Sequence, residues 1–238
     1  MGTKVERHAE RHIKYDQRHW DLLRRLREKA SKILKVLQEN LIEGFIFGSV
    51  ARGDVSSKSD IDIIIFHPVK VYLLEYILDE HFKIYMREIV QATPMHAIKG
   101  YIYLDPQTII TIPLTRLSEL EVEFYKFGGI MGYPSLTDFK KRVPGINRKL
   151  LLILPTPDGH IEKSVIGREP EASKLLGISQ DIIKERVRIL LKRDEIGRTG
   201  VFLRKVLSED ESFDLVLNKL SNQHPAIRNL IKRRGLVI

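Results

Sequence analysis

Residues Phe47–Ile65, Phe-Gly-Ser-Val-Ala-Arg-Gly-Asp-Val-Ser-Ser-Lys-Ser-Asp-Ile-Asp-Ile-Ile-Ile, gather the side chains of this sequence best suited to chemistry. Gly48-Ser49 closes an apolar run. There the missing Cβ lets backbone amides approach a phosphate closely, and the Ser49 hydroxyl adds a donor. Asp60 and Asp62 alternate with Ile61, Ile63 and Ile65, so on an extended strand both carboxylates project from one face and the isoleucines from the other. Adjacent carboxylates repel each other, and such a pair is stable chiefly with a cation between them. Mg²⁺ (or Mn²⁺) held there could bridge the oxygens of a triphosphate and activate an attacking hydroxyl.

The run resembles the Gly-Ser, then Asp-x-Asp, signature of the DNA polymerase β-like nucleotidyltransferase superfamily. The similarity is greatest to minimal and archaeal forms that read Gly-Ser-x-Ala-Arg-Gly before Ser-Asp-x-Asp. Gly-Ser or Asp-x-Asp alone is common; the two at this spacing, one after a strand and one inside a strand, are specific. The resemblance implies that Gly48 and Ser49 contact the triphosphate of an NTP, with Arg52 and Ser59 in the same nucleotide-binding set. It implies that Asp60 and Asp62 bind metal. Family members usually carry a third carboxylate on a later strand, acting as base toward the acceptor hydroxyl. Glu88, in the run Met86–Val90, falls at that place in the order, although Asp is commoner there; Glu121, Glu123 and Asp105 compete with it. The implied reaction moves a nucleoside monophosphate from an NTP to an acceptor hydroxyl and releases pyrophosphate. Two alternatives stand beside it. One is a non-catalytic nucleic-acid-binding protein on the same fold, expected if no further acidic side chain comes within reach of Asp60 and Asp62. The other is an antitoxin-like enzyme that nucleotidylates a partner protein.

Composition narrows the setting. Forty Lys+Arg against 31 Asp+Glu give a net charge of +9, which favours polyanionic partners. Cysteine is absent, which excludes disulfides, thiolate nucleophiles and cysteine-ligated metals. The charged start Met1–Glu10 is followed by no apolar stretch, and no run is long enough to span a bilayer; a cytoplasmic protein with no membrane partner is expected. Abundant Lys, Arg, Glu and Ile resemble a thermophile's composition. The oligomeric state is not encoded in any motif.

The elements that must position the motif can be read from periodicity. Trp20, Leu23, Leu26, Ile33, Leu34, Leu37 and Leu41 recur at helical spacing over the first forty residues. Glu43–Phe47 and Ile61–Phe66 read as strands, Val71–Leu78 as a helix, and Lys83–Val90, Tyr101–Leu104 and Thr108–Ile112 as further strands. Leu117–Phe127 reads as a helix stopped by Gly128-Gly129. A Gly-, Pro- and Lys/Arg-rich loop, Gly128–Arg148, follows, in which Lys140, Lys141, Arg142, Arg148 and Lys149 could guide an acceptor or a triphosphate. Leu150–Leu154 and Ile161–Ile166 form a hairpin, and Pro170–Ile238 is helical in pattern. Within it, residues 171–190 resemble a helix-turn-helix: Gly177 makes the turn, Ser179 caps, Ile183 and Val187 pack inward, and Lys184, Arg186 and Arg188 could face a phosphate backbone. With Arg228, Lys232, Arg233 and Arg234, this segment is expected to present a nucleic-acid acceptor. His8 and His12 stand one helical turn apart, but with no partner to complete a metal site they read, with His19, as a solvated basic helix face. The expected fold is α/β (α+β). A basic N-terminal helix occupies 1–22, a nucleotidyltransferase domain 23–130, and a C-terminal hairpin with a helical segment 131–238.

Overall fold

The computed structural model describes residues 4–197 and 200–237. The chain runs β1 (Arg11–Lys14), α1 (Gln17–Glu39), β2 (Gly44–Phe47), α2 (Ser49–Arg52), β3 (Ile61–Ile65), α3 (Val71–His81), β4 (Met86–Gln91), β5 (Lys99–Asp105) and β6 (Thr108–Pro113). It continues through α4 (Glu119–Phe127), β7 (Ile130–Gly132), α5 (Tyr133–Leu136), β8 (Gly145–Ile146), β9 (Leu151–Thr156), β10 (Gly159–Ser164), α6 (Glu169–Leu176) and α7 (Gln180–Ile196). β11 (Leu203–Val206), α8 (Phe213–Gln223) and α9 (Pro225–Arg234) complete it. The mixed α/β class is as expected from the sequence.

Seven strands form one sheet in the order β11-β4-β5-β6-β3-β2-β7, and four form a second in the order β1-β10-β9-β8. In the large sheet β3 runs antiparallel to β2 and parallel to β6. Ile61, Ile63 and Ile65 of β3 are buried in a core with Ala30, Ile33, Leu34 and Leu37 of α1 and Leu74 and Leu78 of α3. Phe213, Val216 and Leu217 of α8 and Ile227 and Leu230 of α9 enter the same core. A second core joins Ile146, Leu150 and Leu152 beside the small sheet to Ala172 of α6, Ile182 and Ile183 of α7, and Phe127 at the end of α4.

Three expectations are corrected. The N-terminal segment is not helical before Gln17: Arg11–Lys14 pairs antiparallel with β10, and α1 starts where the Asp16 side chain accepts the His19 amide at 2.8 Å. An edge strand with unpaired backbone groups captures the extended segment, and an Asp cap defines a helix start better than the apolar spacing upstream. The C-terminal segment is not wholly helical, since β11 adds to the edge of the large sheet beside β4. A division at residue 130 cuts through that sheet, because β7 pairs with β2. Chain distant in sequence completes the sheet on both sides. Among the described residues, no helix is long and apolar enough to cross a membrane.

Candidate functional site

The β2–β3 register pairs Phe47 with Asp62, so the chain leaving β2 at Gly48 lies beside the chain entering β3 at Asp60. Gly48 adopts φ +84°, ψ −148°, a conformation costly for any residue with a Cβ, and turns the backbone at once into the single turn α2. Its own amide donates to the Gly129 carbonyl at 2.9 Å. Having no side chain, Gly48 cannot cap α2, so the leading amides of that turn stay available to an acceptor. The Ser49 hydroxyl donates to Ser59 Oγ at 3.1 Å, and Ser59 Oγ also accepts the Ser56 amide at 2.9 Å, closing the loop on itself.

A buried arginine of α1 holds this loop from below. Arg27 has no exposed surface, and its guanidinium donates to the carbonyls of Val50 at 3.0 Å, Ala51 at 3.0 Å and Lys141 at 2.6 Å. His19, also on α1, hydrogen-bonds the Gly53 carbonyl at 2.7 Å and stacks on Tyr15. The helix that builds the core therefore also fixes the position of Ser49–Gly53.

A cavity of about 330 Å³ opens on the motif. One wall is the motif itself: Gly48, Ser49, Arg52, Ser59, Asp60 and Asp62 all line it. The other wall comes from three separate places. Phe124 and Phe127 arrive on α4, Asn147–Lys149 on the β8–β9 turn, and Arg186 with Leu190 on α7. A larger hollow of about 880 Å³, between the start of α1 and the β9–β10 turn, has no carboxylate in its lining.

Charge is arranged unevenly. Burial and the neighbouring Asp60 push the Asp62 carboxyl up to about 6, against the opposing pull of Arg148. Burial raises Asp60 as well, again opposed by Arg148. Two partly buried acids, both raised by burial and Asp62 by its neighbour as well, are a donor set that a hard divalent cation would relieve. Opposite them stand Arg148, Lys149 and Arg186. Arg186 lies over the Phe124 ring at 5.0 Å, and its Nε is buried without a hydrogen-bond partner among the described residues. Burial lowers its guanidinium to about 10, which leaves it charged at neutral pH. Carboxylates on one wall and guanidinium and ammonium groups on the other suit a polyanion bridged to the acids by a divalent cation.

Six of the seven site residues expected from the sequence therefore share one cavity. Arg52 is among them, but its guanidinium is committed inside the protein. It grips Asp54 in a bidentate pair at 2.9 and 3.0 Å and donates to the Gly128 carbonyl, so it braces the loop. Glu88 is the seventh, and the structure does not bring it to the cavity. It lies on the same sheet face as Asp62, but β5 and β6 intervene. Three strand spacings amount to about 14 Å. Glu88 is 2% exposed, accepts from the Tyr103 hydroxyl at 2.6 Å and pairs with Arg204 of β11 at 2.6 Å, which ties down the sheet edge. β6, the strand actually beside β3, offers Ile109 opposite Asp62 and Thr111 opposite Ile64. Asp54 is the one carboxylate besides the pair that lines the cavity among the described residues, and Arg52 holds it. Glu121 is capped into α4 and paired with Arg234, Glu123 accepts from Ser179, and Asp105 pairs with Lys29.

Arg148 and Lys149 of the second wall stand among the basic residues that the sequence offers to a triphosphate, whereas α7 departs from its expected role. α6 and α7 are joined through Gly177, at φ +62°, and Ser179 caps α7, but α7 packs on α4 with Ile182 and Ile183 buried. Lys184 and Arg188 are exposed, whereas Arg186 points into the cavity. Its signal lay in the spacing: Ile183, Arg186 and Leu190 stand at i, i+3 and i+7, on the face that packs inward. Phe124 and Phe127 carried no comparable mark.

Residues 27–102 match the family model of the nucleotidyltransferase domain, from the middle of α1 through β3 into β5. No curated protein and no solved structure matches the chain.

Proposed function

We propose, from the match of residues 27–102 to the nucleotidyltransferase-domain family model and the resemblance of Phe47–Ile65 to the polymerase β-like signature, that this chain transfers a nucleoside monophosphate from an NTP to an acceptor hydroxyl with Mg²⁺. The observation that carries the reading is the shared cavity, with Asp60 and Asp62 on one wall and Arg148, Lys149 and Arg186 on the other. Asp60 and Asp62 would hold the metal. Bound there, the ion supplies charge neutralisation on the triphosphate and lowers the pKa of the attacking hydroxyl. Ser49 approaches the phosphates with its backbone amide and hydroxyl, the bare Gly48 leaving room beside it, and Ser59 keeps the Ser49 side chain in place. Arg148 and Arg186 offset the charge that develops on the leaving pyrophosphate. Phe124 and Phe127 give the base an apolar surface. The net charge of +9 supports a nucleic acid as acceptor.

One observation favours a second reading. No carboxylate stands on β6 beside Asp62, and Glu88 is engaged elsewhere. A chain that binds NTP and nucleic acid without transfer would have this arrangement. The two readings separate in an assay with α-labelled NTPs, Mg²⁺ and, in turn, total RNA, DNA and protein. Transfer predicts label in one acceptor class, at least about 10³-fold less in Asp60→Asn/Asp62→Asn, and little changed in Glu88→Gln. Tight metal-dependent NTP binding without label in any acceptor would support the second reading.

A further inference from the structure

The structure assigns to this chain a second metal site, away from the nucleotide cavity: we propose that Glu6, His8 and Glu162 bind one divalent transition-metal ion, zinc foremost, which fastens the N-terminal segment to the cavity's basic turn. The three side chains come from two pieces of chain that the small sheet joins. His8 precedes β1, its carbonyl accepting the Ser164 amide at 3.3 Å, and Glu162 sits on β10 opposite Arg11. Glu6 donates its backbone amide to the Lys149 carbonyl at 3.0 Å.

His8 Nε2 stands 3.5 Å from Glu6 Oε2 and 3.5 Å from Glu162 Oε1, and the three ligand atoms lie within 4.8 Å of one another. Neither pair forms a hydrogen bond, and both ring nitrogens of His8 are buried without a partner among the described residues. An imidazole carries at least one N–H that needs an acceptor, so this ring lacks something. The spacing indicates what. Ligands at about 2.0–2.2 Å from one tetrahedral ion sit about 3.3–3.5 Å apart, longer than a good hydrogen bond. One imidazole with two carboxylates is a donor set for Zn²⁺ and its first-row neighbours, and it leaves a fourth position for water.

The surroundings fit a second tier of support. His160 is 5% exposed, and its Nε2 is buried, without a hydrogen-bond partner among the described residues, and 3.6 Å from the other Glu162 oxygen. Its Nδ1 faces the Tyr15 hydroxyl at 2.6 Å. With Tyr15 donating, His160 carries its proton on Nε2 and aims it at Glu162, which orients that carboxylate. Arg11 contacts the same two oxygens, at 3.1 Å to Glu6 and 3.7 Å to Glu162, and neutralises them in the absence of metal. Its side chain is half exposed and can swing into solvent when an ion takes its place. Lys149 holds the remaining Glu6 oxygen, so the ion would be anchored to the turn that lines the nucleotide cavity.

The test is calorimetry of the full chain with Zn²⁺ alone, and visible spectroscopy with Co²⁺ alone, in the wild type, His8→Ala, Glu6→Gln, Glu162→Gln and Asp60→Asn/Asp62→Asn. The expected result is one ion per chain and a tetrahedral Co²⁺ spectrum in the wild type. Both are retained in the aspartate double variant, and binding is at least about 100-fold weaker in the three ligand variants. Zn²⁺ at about 100 times its Kd should raise the thermal midpoint by about 5–10 °C in the wild type and not in the partly exposed Glu6→Gln, which tests the site even if His8→Ala misfolds. Binding that disappears with Asp60 and Asp62 but survives in Glu6→Gln and Glu162→Gln would overturn the proposal. So would an absence of stoichiometric binding in the wild type. Either outcome leaves the nucleotide site untouched, because Zn²⁺ is added without NTP.

Discussion

The two walls of the cavity are built in opposite ways. The acidic wall is one continuous stretch, Gly48 to Asp62, held by local hydrogen bonds and by Arg27 beneath it. The cationic and aromatic wall is assembled from α4, the β8–β9 turn and α7, which are distant in sequence and meet in the second core. The first wall combines a rigid turn with destabilised carboxylates, and the second adds arginines whose partners would arrive with the ligand. The proposed function assigns metal binding to the first wall and most of the phosphate affinity to the second, and substitutions should separate them.

The largest effect is expected where the first wall meets the core. Arg27→Ala strands the carbonyls of Val50, Ala51 and Lys141 in a buried site. It should cost about 3–5 kcal/mol in urea unfolding, with NTP affinity falling as α2 loosens. A loss under about 1 kcal/mol would mean that the acidic wall does not depend on α1.

Asp62 gives the next effect, with a definite sign. Its folded pKa is raised to about 6, from 3.8, so the folded protein holds this proton more tightly than the unfolded chain does. Metal-free stability should therefore fall as pH rises from about 4 to 6, by up to about 3 kcal/mol. Asp62→Asn keeps the shape and removes the charge. In EDTA it should match the wild type below pH 4 and exceed it above pH 6, and a pH-independent difference would contradict the strained-acid account.

The second wall should respond more gently. Arg148→Ala and Arg186→Ala should each weaken Mg²⁺-dependent NTP binding about tenfold, or about 1.4 kcal/mol, with unfolding stability nearly kept for the Arg148 variant. Unchanged affinity in both would leave the cavity with one functional wall.

This contrast also explains what could be read from the sequence. The acidic wall was legible because its residues are contiguous and alternate in and out along β3, so pattern and geometry coincide. Glu88 was misplaced because strand order in a mixed sheet depends on which strand crosses over to lie parallel. β6, three strands later in sequence, takes the place beside β3, and the β4-β5-β6 meander carries Glu88 outward. β11 was hidden because an edge strand with Arg204 and Lys205 has little apolar alternation to reveal it. His8 looked solvated on an imagined helix; as extended chain it turns inward toward Glu162 while His12 points out. The cationic wall was visible only in pieces, because the meeting of α4 with α7 has no local cause.

The central claim is that Asp60 and Asp62 hold the metal that carries the NTP against Arg148 and Arg186. Calorimetric titration of ATP into the wild type and into Asp60→Asn/Asp62→Asn, each with Mg²⁺ and with EDTA, tests it most directly. The account predicts binding in the wild type that needs Mg²⁺, and at least about 100-fold weaker binding in the folded double variant whether or not Mg²⁺ is present. Mg²⁺-dependent ATP binding of wild-type strength in the double variant would contradict it.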